Sequence, residues 1–210
     1  KYCDIILVGD SMANVLYGLK NTHKITLKNI IQHTLSVKKG IKKSLLVVDM
    51  PKGSYRNANI AKKNAKILMR STGCDAVKIE SNKKNYRIIN KLIKSKIPVM
   101  GHIGFTPQFK KKFKIEGVTE KKKKELLNEA LLIEKAGAFS IVLECIAPKT
   151  SKLITSQLSI PTIGIGSSSF CDGQILVTDD MLGISGFYPK FVKKYASVDV
   201  VIEKAVKKYT

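Results

Sequence analysis

Short apolar runs alternate with longer amphipathic segments along the chain, and this alternation limits the possible folds more than any other feature. Seven runs have the length and composition of buried strands. They are Ile5–Gly9, Leu45–Asp49, Ala76–Glu80, Val99–Ile103, Ser140–Glu144, Thr162–Ile165 and Ile175–Val177. Segments with helical periodicity lie at Leu27–Lys39, Asn57–Thr72, Tyr86–Lys96, Glu120–Ala136, Ser151–Leu158 and Val198–Tyr209. Strands that alternate with helices predict an α/β fold with a parallel sheet and right-handed crossovers.

Most of the predicted strands are continuous apolar runs rather than alternations of apolar and polar residues. Such strands are typical of parallel sheets that are covered on both faces. Two architectures fit: an open doubly wound sheet, or a (β/α)₈ TIM barrel that lacks its first strand and helix in this chain. Because no linker or low-complexity segment interrupts the pattern, we expect a single domain over residues 1–210.

Acidic residues stand at the ends of four predicted strands. Asp10 closely follows the first strand in the stretch ILVGDSM, and the second, third and fifth strands end on Asp49, Glu80 and Glu144. The carboxyl ends of parallel strands meet at one edge of the sheet, where the functional sites of such folds lie. Carboxylates that share a crevice repel one another, and a hard divalent cation relieves this repulsion through oxygen ligands. The sequence therefore predicts a magnesium site among these acids.

Other groups that can take part in chemistry occupy the same strand ends. Alternation along the third strand places Lys78 on the same face as Glu80, where it would offer a positive charge to an acidic substrate. Glu144 follows an apolar run and lies far from Asp10 in strand order, and a carboxylate in such surroundings can serve as a general base. His102 lies in the fourth strand. Any one acid alone could equally cap a helix or pair with a lysine, but four at strand ends favour a site.

The chain has a formal net charge of +22, which invites a nucleic-acid interpretation. Nearly all of its basic residues are lysines spread along the chain, whereas specific recognition of bases and phosphates favours arginine. We therefore expect no specific nucleic-acid partner. No apolar run approaches the roughly 18 residues that cross a bilayer, so we expect no membrane partner. The four cysteines form no Cys-x-x-Cys pair, so we expect reduced thiols and a cytoplasmic protein.

Several longer segments resemble the ketopantoate hydroxymethyltransferase family and follow its order from Ile5 to about Ala196. They include LVGDSMANVLYG, and the most specific are VMGHIGFTPQ, VLECI and CDGQILV. The resemblance implies a (β/α)₈ barrel of the phosphoenolpyruvate mutase/isocitrate lyase type and a homo-oligomer, usually a decamer. It also implies transfer of a hydroxymethyl group from methylenetetrahydrofolate to the 2-oxo acid 3-methyl-2-oxobutanoate, with Mg²⁺. The product would be ketopantoate, in pantothenate and coenzyme A biosynthesis.

The resemblance also implies roles for individual residues. Asp10, Asp49 and Glu80 would hold the metal ion or its waters. Asp10, Ser11, Asp49 and Lys78 would bind the oxo acid. All five match the family's motifs in the segments LVGDSM, LLVVDM and DAVKIE.

By the same resemblance Glu144 would be the proton acceptor. From its place at the end of the fourth strand, we expect His102 to contact the site residues from behind them. This sequence departs from the family pattern in some loops. Lys52 stands where an aromatic residue is usual, Ser81 where a glycine is usual, and Val118 where an arginine is usual. These changes concern folate binding more than metal binding.

Three other interpretations fit parts of the sequence. One is another magnesium-dependent, enolate-forming lyase of the same superfamily, but such lyases carry a loop cysteine for which no matching context exists here. Another is a truncated, non-catalytic homologue. The last is a nucleic-acid binder, which would need a recognition motif that the sequence lacks.

Overall fold

The computed structural model describes residues 2–81, 85–110, 112–186 and 188–210. Within these ranges the chain forms seven strands and eight α-helices. The strands are β1 (Ile5–Val8), β2 (Leu45–Asp49), β3 (Ala76–Glu80), β4 (Val99–Gly104), β5 (Ser140–Glu144), β6 (Thr162–Ile165) and β7 (Gly173–Gln174). The helices are α1 (Met12–Val15), α2 (Leu27–Gly40), α3 (Ala58–Thr72), α4 (Tyr86–Ile93), α5 (Glu120–Lys135), α6 (Pro148–Gln157), α7 (Thr178–Leu182) and α8 (Val198–Tyr209).

Side-chain hydrogen bonds mark the first residues of α2 and α3, and a glycine marks the end of α3. At the start of α2 the Thr26 hydroxyl accepts from the Asn29 N–H, and the Asn29 side chain accepts from the Thr26 N–H. The Asn57 side chain caps the first free N–H groups of α3. Gly73 ends α3 in the left-handed region at a φ of 63°, which glycine adopts without steric cost.

All seven strands lie parallel in a single sheet, in the order in which they occur along the chain. The register places Asp49 beside Lys78, and Glu80 beside His102. It also pairs the last residues of β4 and β5 with each other. The polar ends of the strands therefore meet at one edge of the sheet, as the sequence predicted.

The two faces of the sheet carry separate apolar clusters. A small inner cluster contains Val47, Met100, Val142 and Ile163, with Ile175 packed against it. The larger cluster lies between the opposite face of the strands and the helices, and includes residues of β2, β3, β5, α3, α4 and α5. Because strands from β1 to β6 contribute to the inner cluster, the sheet curls around it. Burial on both faces explains why the strands lack polar alternation.

The sheet is a half-barrel rather than a closed ring. Within the described residues β7 pairs with β6, and no pairing joins it to β1. The α/β prediction is therefore confirmed, and the complete (β/α)₈ barrel stays a prediction. The predicted last strand, Ile175–Val177, was wrong. The last strand, β7, instead pairs with β6 at Gly173 and Gln174. One further hydrogen bond, from the Ile175 N–H to the Gly164 carbonyl, ends this pairing.

Across the described ranges, no helix has the length and apolar character needed to cross a membrane. Helix α8 differs from the others in that none of its residues is buried.

The contact between α5 and the sheet supplies a stability test. Ile133 of α5 is fully buried, and it lies so close to β4 that a Cβ atom on Gly101 would come within 2.6 Å of its side chain. We expect Ile133→Ala to lower the free energy of unfolding by about 2–5 kcal/mol, because the substitution leaves a cavity that the neighbouring side chains fill only in part. Urea unfolding followed by circular dichroism measures this change.

The matched control lies two residues away on the same helix. Leu131 is 38% exposed, so Leu131→Ala should cost less than about 1 kcal/mol. Equal losses in the two variants would contradict the packing described for α5.

Candidate active site

Three buried carboxyl groups stand at the ends of neighbouring strands. Asp10 follows β1, while Asp49 and Glu80 end β2 and β3. The backbone N–H of Asp10 donates to Oδ2 of Asp49 over 3.2 Å, and the carboxyl group of Asp10 is close enough to Asp49 to be repelled by its charge. A Cβ atom on Gly9 would stand 3.3 Å from the Ser11 hydroxyl oxygen and 3.6 Å from Asp49 Oδ2. The missing side chain at Gly9 lets the turn after β1 come close to β2.

A buried lysine balances part of this negative charge. Nζ of Lys78 lies 2.8 Å from Oδ1 of Asp49 and 3.2 Å from Nδ1 of His102. Burial alone would lower the pKa of Lys78, but the carboxylates of Asp49, Glu80 and Asp10 outweigh burial and raise it. The ammonium group therefore stays protonated although it is almost completely shielded from solvent.

His102 connects this lysine to Glu144. Its Nε2 atom lies 3.1 Å from Oε2 of Glu144. Burial, followed by the charge of Lys78, lowers the pKa of His102, so the imidazole is neutral. An ammonium group can only donate, so Nδ1 is the acceptor and the ring proton is on Nε2, the nitrogen that lies beside Glu144. The sequence predicted apolar surroundings for Glu144, and the structure adds an imidazole as its partner.

The exposures of these two side chains differ. The side chain of Glu144 is 16% exposed, whereas that of His102 is 3% exposed. Glu144 is thus the member of the pair that opens towards solvent and any bound ligand. The chain of contacts from Asp49 through Lys78 and His102 to Glu144 spans β2 to β5.

Two of the buried carboxyl groups hold protons more tightly than exposed ones. Burial, and next the carboxylate of Asp49, raise the pKa of Asp10 to about 7. Burial also raises the pKa of Glu80 well above its usual range, although Lys78 opposes this effect. When all three acids are ionised they carry three negative charges, and Lys78 carries one positive charge. The net charge of about −2 is what one divalent cation would neutralise.

Sequence reasoning missed a fully buried residue in the loop after β4. Gln108 donates from Nε2 to Oδ2 of Asp10 over 2.9 Å and to the Met50 carbonyl over 3.1 Å. Its backbone N–H donates to Oε2 of Glu80 over 3.0 Å. Its Oε1 atom accepts from the hydroxyl of Tyr55 over 2.5 Å. The one signal in the sequence is a glutamine directly after the turn residues GFTP, which by itself indicates nothing about these contacts.

A cavity of about 860 Å³ opens over this edge of the sheet. All the site residues predicted from the sequence line it: Asp10, Ser11, Asp49, Lys78, Glu80, His102 and Glu144. Three aromatic side chains, Phe105, Phe113 and Phe191, line it as well, and the ring of Phe113 contacts the other two. The structure thus brings the predicted residues together, while their roles stay predictions.

The donor groups fit magnesium better than a softer metal. In the described part of the chain, no three acidic, histidine or cysteine side chains form a ready-made metal site. Mg²⁺ is usually held by one or two carboxylates and completes its shell with water and substrate oxygens. The adjacent carboxyl groups of Asp10 and Asp49, with unbalanced negative charge around them, match that pattern.

The comparison with known families agrees with the geometry. The family model described as ketopantoate hydroxymethyltransferase matches residues 1–210. The chain belongs to this family. The family prediction made from the sequence motifs is therefore confirmed, and the chain is a member of an enzyme family.

Curated relatives carry the corresponding name. The 3-methyl-2-oxobutanoate hydroxymethyltransferase of Pelagibacter ubique (strain HTCC1062) is 48% identical over 209 residues, covering 100% of this chain and 81% of the relative. That of Anaplasma marginale (strain St. Maries) is 45% identical over 212 residues, covering 100% of this chain and 76% of the relative. That of Clostridioides difficile (strain 630) is 47% identical over 214 residues, covering 99% and 78%.

Solved structures of other enzymes share the fold of this family member. One is 2,3-dimethylmalate lyase, a PEP mutase/isocitrate lyase superfamily member, with a TM-score of 0.58 and 10% identity over 98% of this chain and 71% of the lyase. Another is oxaloacetate acetylhydrolase, with a TM-score of 0.60 and 12% identity over 98% of this chain and 72% of the hydrolase. At these identities the likeness concerns the fold alone, so it gives the alternative of a lyase no support.

The raised pKa of Asp10 predicts how stability depends on pH in the metal-free protein. Between the ordinary value of 3.8 and about 7, the folded protein keeps a proton on Asp10 that the unfolded chain has lost. Stability should therefore fall as the pH rises through this range. Asp10→Asn should remove a part on the order of 4 kcal/mol of this fall, since the pKa of Asp10 is raised from 3.8 to about 7 and one pKa unit corresponds to about 1.4 kcal/mol.

Urea unfolding at a series of pH values, with a chelator present, measures this dependence. The exposed Asp199 supplies the control, because Asp199→Asn should follow the parent protein at every pH. If the curve for Asp10→Asn ran parallel to that of the parent, the burial and charge repulsion described for Asp10 would be wrong.

Proposed function

We propose that this protein transfers a hydroxymethyl group from methylenetetrahydrofolate to 3-methyl-2-oxobutanoate and so forms ketopantoate. The observation that supports this most is the continuous chain of polar contacts that lines one cavity, from Asp10 and Asp49 through Lys78 and His102 to Glu144. It supplies anionic donors for a cation at one end and a partly open carboxylate at the other. Family membership and the names of the curated relatives point to the same reaction.

The oxo acid would bind at the acidic end of this chain. Asp10 and Asp49 would hold Mg²⁺, with Glu80 directed to its waters, and the bound cation would polarise the 2-oxo group so that the C3 proton becomes acidic. Lys78 has three N–H donors, of which Asp49 and His102 take two. The third can donate to an oxygen of the substrate, and the hydroxyl of Ser11 lines the same cavity.

Glu144 would remove the C3 proton of the oxo acid. Nε2 of His102 lies 3.1 Å from its Oε2 atom, so the other oxygen is left to act as the base. The C3–H bond breaks, its electron pair enters the enolate, and the proton moves to Glu144. The enolate carbon then forms a bond to the methylene carbon of the folate while the bond from that carbon to one folate nitrogen breaks, and this nitrogen takes up the proton that Glu144 removed. Water then replaces the second folate nitrogen on the same carbon: its oxygen becomes the hydroxyl group of ketopantoate, its proton goes to the nitrogen, and tetrahydrofolate leaves.

The same proposal covers features on a larger scale. We infer that the half-barrel belongs to a complete (β/α)₈ fold, that residues 1–210 act as one domain, and that the protein is a cytoplasmic homo-oligomer, a decamer by resemblance to its family. The opposing candidate is a non-catalytic homologue. Its motivation is the change of loop residues such as Lys52, which here contacts His23 near the cavity instead of presenting an aromatic ring.

Proton exchange at C3 tests the base and needs no folate. In D₂O with Mg²⁺, the parent protein should exchange the C3 hydrogen of 3-methyl-2-oxobutanoate, followed by NMR. Glu144→Gln keeps the shape and removes the base, so the exchange rate should fall by about 10²–10⁴ while the oxo acid still binds. Glu120 is 79% exposed, and Glu120→Gln should exchange like the parent. Unchanged exchange in Glu144→Gln would move the role of base to another group, and no exchange in the parent would favour the non-catalytic homologue.

Calorimetry tests the cation. Mg²⁺ should bind to the parent, and binding should strengthen when 3-methyl-2-oxobutanoate is present because the acid supplies two further oxygen donors. Asp49→Asn should weaken Mg²⁺ binding at least about tenfold, since it removes one of the charged ligands and disturbs Lys78. Asp199→Asn should bind like the parent. Equal Mg²⁺ affinity in Asp49→Asn and the parent would refute the assignment of the metal ligands.

A further inference from the structure

We propose that Gln108 is a positioning residue that aims the carboxyl groups of Asp10 and Glu80 at the bound cation, and that Tyr55 sets the orientation of the Gln108 amide. This inference rests on the proposed function, because it concerns the cation of that reaction. It assigns a role to two buried residues that the proposed mechanism does not otherwise use.

Every hydrogen-bonding group of the Gln108 side chain has a partner from a different part of the fold. Nε2 donates to Asp10 Oδ2, after β1, and to the Met50 carbonyl, after β2. Oε1 accepts from Tyr55 in the loop before α3. With the bond from its backbone N–H to Glu80, Gln108 ties together the ends of β1, β2 and β3. A residue held at so many points has one position, and so do the carboxylate oxygens bonded to it.

Tyr55 decides which end of the amide faces Asp10. The two ends of a glutamine amide have nearly the same shape, so packing alone does not distinguish them. The buried hydroxyl of Tyr55 donates its one hydrogen to Oε1 of Gln108, and the Met50 carbonyl, which can only accept, takes a hydrogen from Nε2. The oxygen of the Gln108 amide therefore faces Tyr55, and the NH₂ group faces Asp10.

A neutral donor has a different effect on a carboxylate than a cationic one. Asp49 is paired with the ammonium group of Lys78, which cancels much of its charge. In the described part of the chain Asp10 has no ion pair, and its Oδ2 atom accepts from the neutral amide of Gln108. Gln108 thus fixes one oxygen of Asp10, Oδ2, and leaves the other oxygen for a cation.

The test compares Mg²⁺ affinities in a double-mutant cycle. Gln108→Met removes all three side-chain bonds at similar volume, and Tyr55→Phe removes only the hydroxyl. Gln108→Met should weaken Mg²⁺ binding about 10–100-fold by calorimetry, as is typical of residues that orient metal ligands. Tyr55→Phe should weaken it less. The double variant should bind no more weakly than Gln108→Met, because Tyr55 acts through Gln108.

Two surface substitutions are the matched controls. Gln32 is exposed on α2, and Tyr209 is 92% exposed on α8. Gln32→Met and Tyr209→Phe should bind Mg²⁺ like the parent. Thermal unfolding without metal, recorded for all variants, shows whether each protein is folded at the temperature of the titration. If Gln108→Met does not fold, Tyr55→Phe alone decides, since it deletes a single buried oxygen.

C3 proton exchange at increasing Mg²⁺ separates positioning from a general structural defect. Loss of positioning should raise the Mg²⁺ concentration for half-maximal exchange by roughly tenfold or more and leave the maximal rate within about threefold. A structural defect would lower the maximal rate at every Mg²⁺ concentration.

Three results would overturn the inference: equal Mg²⁺ affinity in the folded variants and the parent, additive losses in the double variant, or a maximal rate that Mg²⁺ does not restore. If the parent itself bound no Mg²⁺, both the cation of the proposed function and this inference would be wrong. Normal binding in the parent with unchanged variants would refute the inference alone.

Discussion

The ammonium group of Lys78 lies between acidic side chains that three different strands bring to one edge of the sheet. Without it, the carboxyl groups of Asp10, Asp49 and Glu80 would meet in a buried place with no positive charge beside them. Breaking a buried ion pair by removing one partner typically costs about 3–5 kcal/mol, because the other charge is left uncompensated. The packing of the first three strand ends and the arrangement of the candidate site therefore depend on the same contact between opposite charges.

The concave face of the sheet is built in layers. Val47, Met100 and Val142 form part of the inner apolar cluster. Two residues further along the same strands, and so on the same face, stand Asp49, His102 and Glu144. The charged groups thus lie on an apolar floor, where Coulomb interactions and hydrogen bonds are stronger than in water. This arrangement explains how a neutral histidine can link a protonated lysine to a partly open carboxylate.

Much of the fold and most of the site could be predicted from the sequence, because apolar periodicity reports which face of a strand is buried. The predicted bounds of β2, β3, β5 and β6 agree with the structure, and the acids at the strand ends share one cavity as expected. Helices α1 and α7 were missed because elements this short contain little periodicity.

Contacts made by loops could not be predicted in the same way. Gln108 contacts Glu80, 28 residues away, and Asp10, 98 residues away. Such a contact exists only when the whole sheet has formed, and no local pattern encodes it. Burial has a further consequence for chemical labelling. Among the described residues Lys78 is the one buried lysine in a chain rich in exposed lysines. An amine-reactive reagent would acylate the exposed lysines and leave Lys78 unmodified while the protein is folded. Acylation of Lys78 would therefore report local or global unfolding around the site.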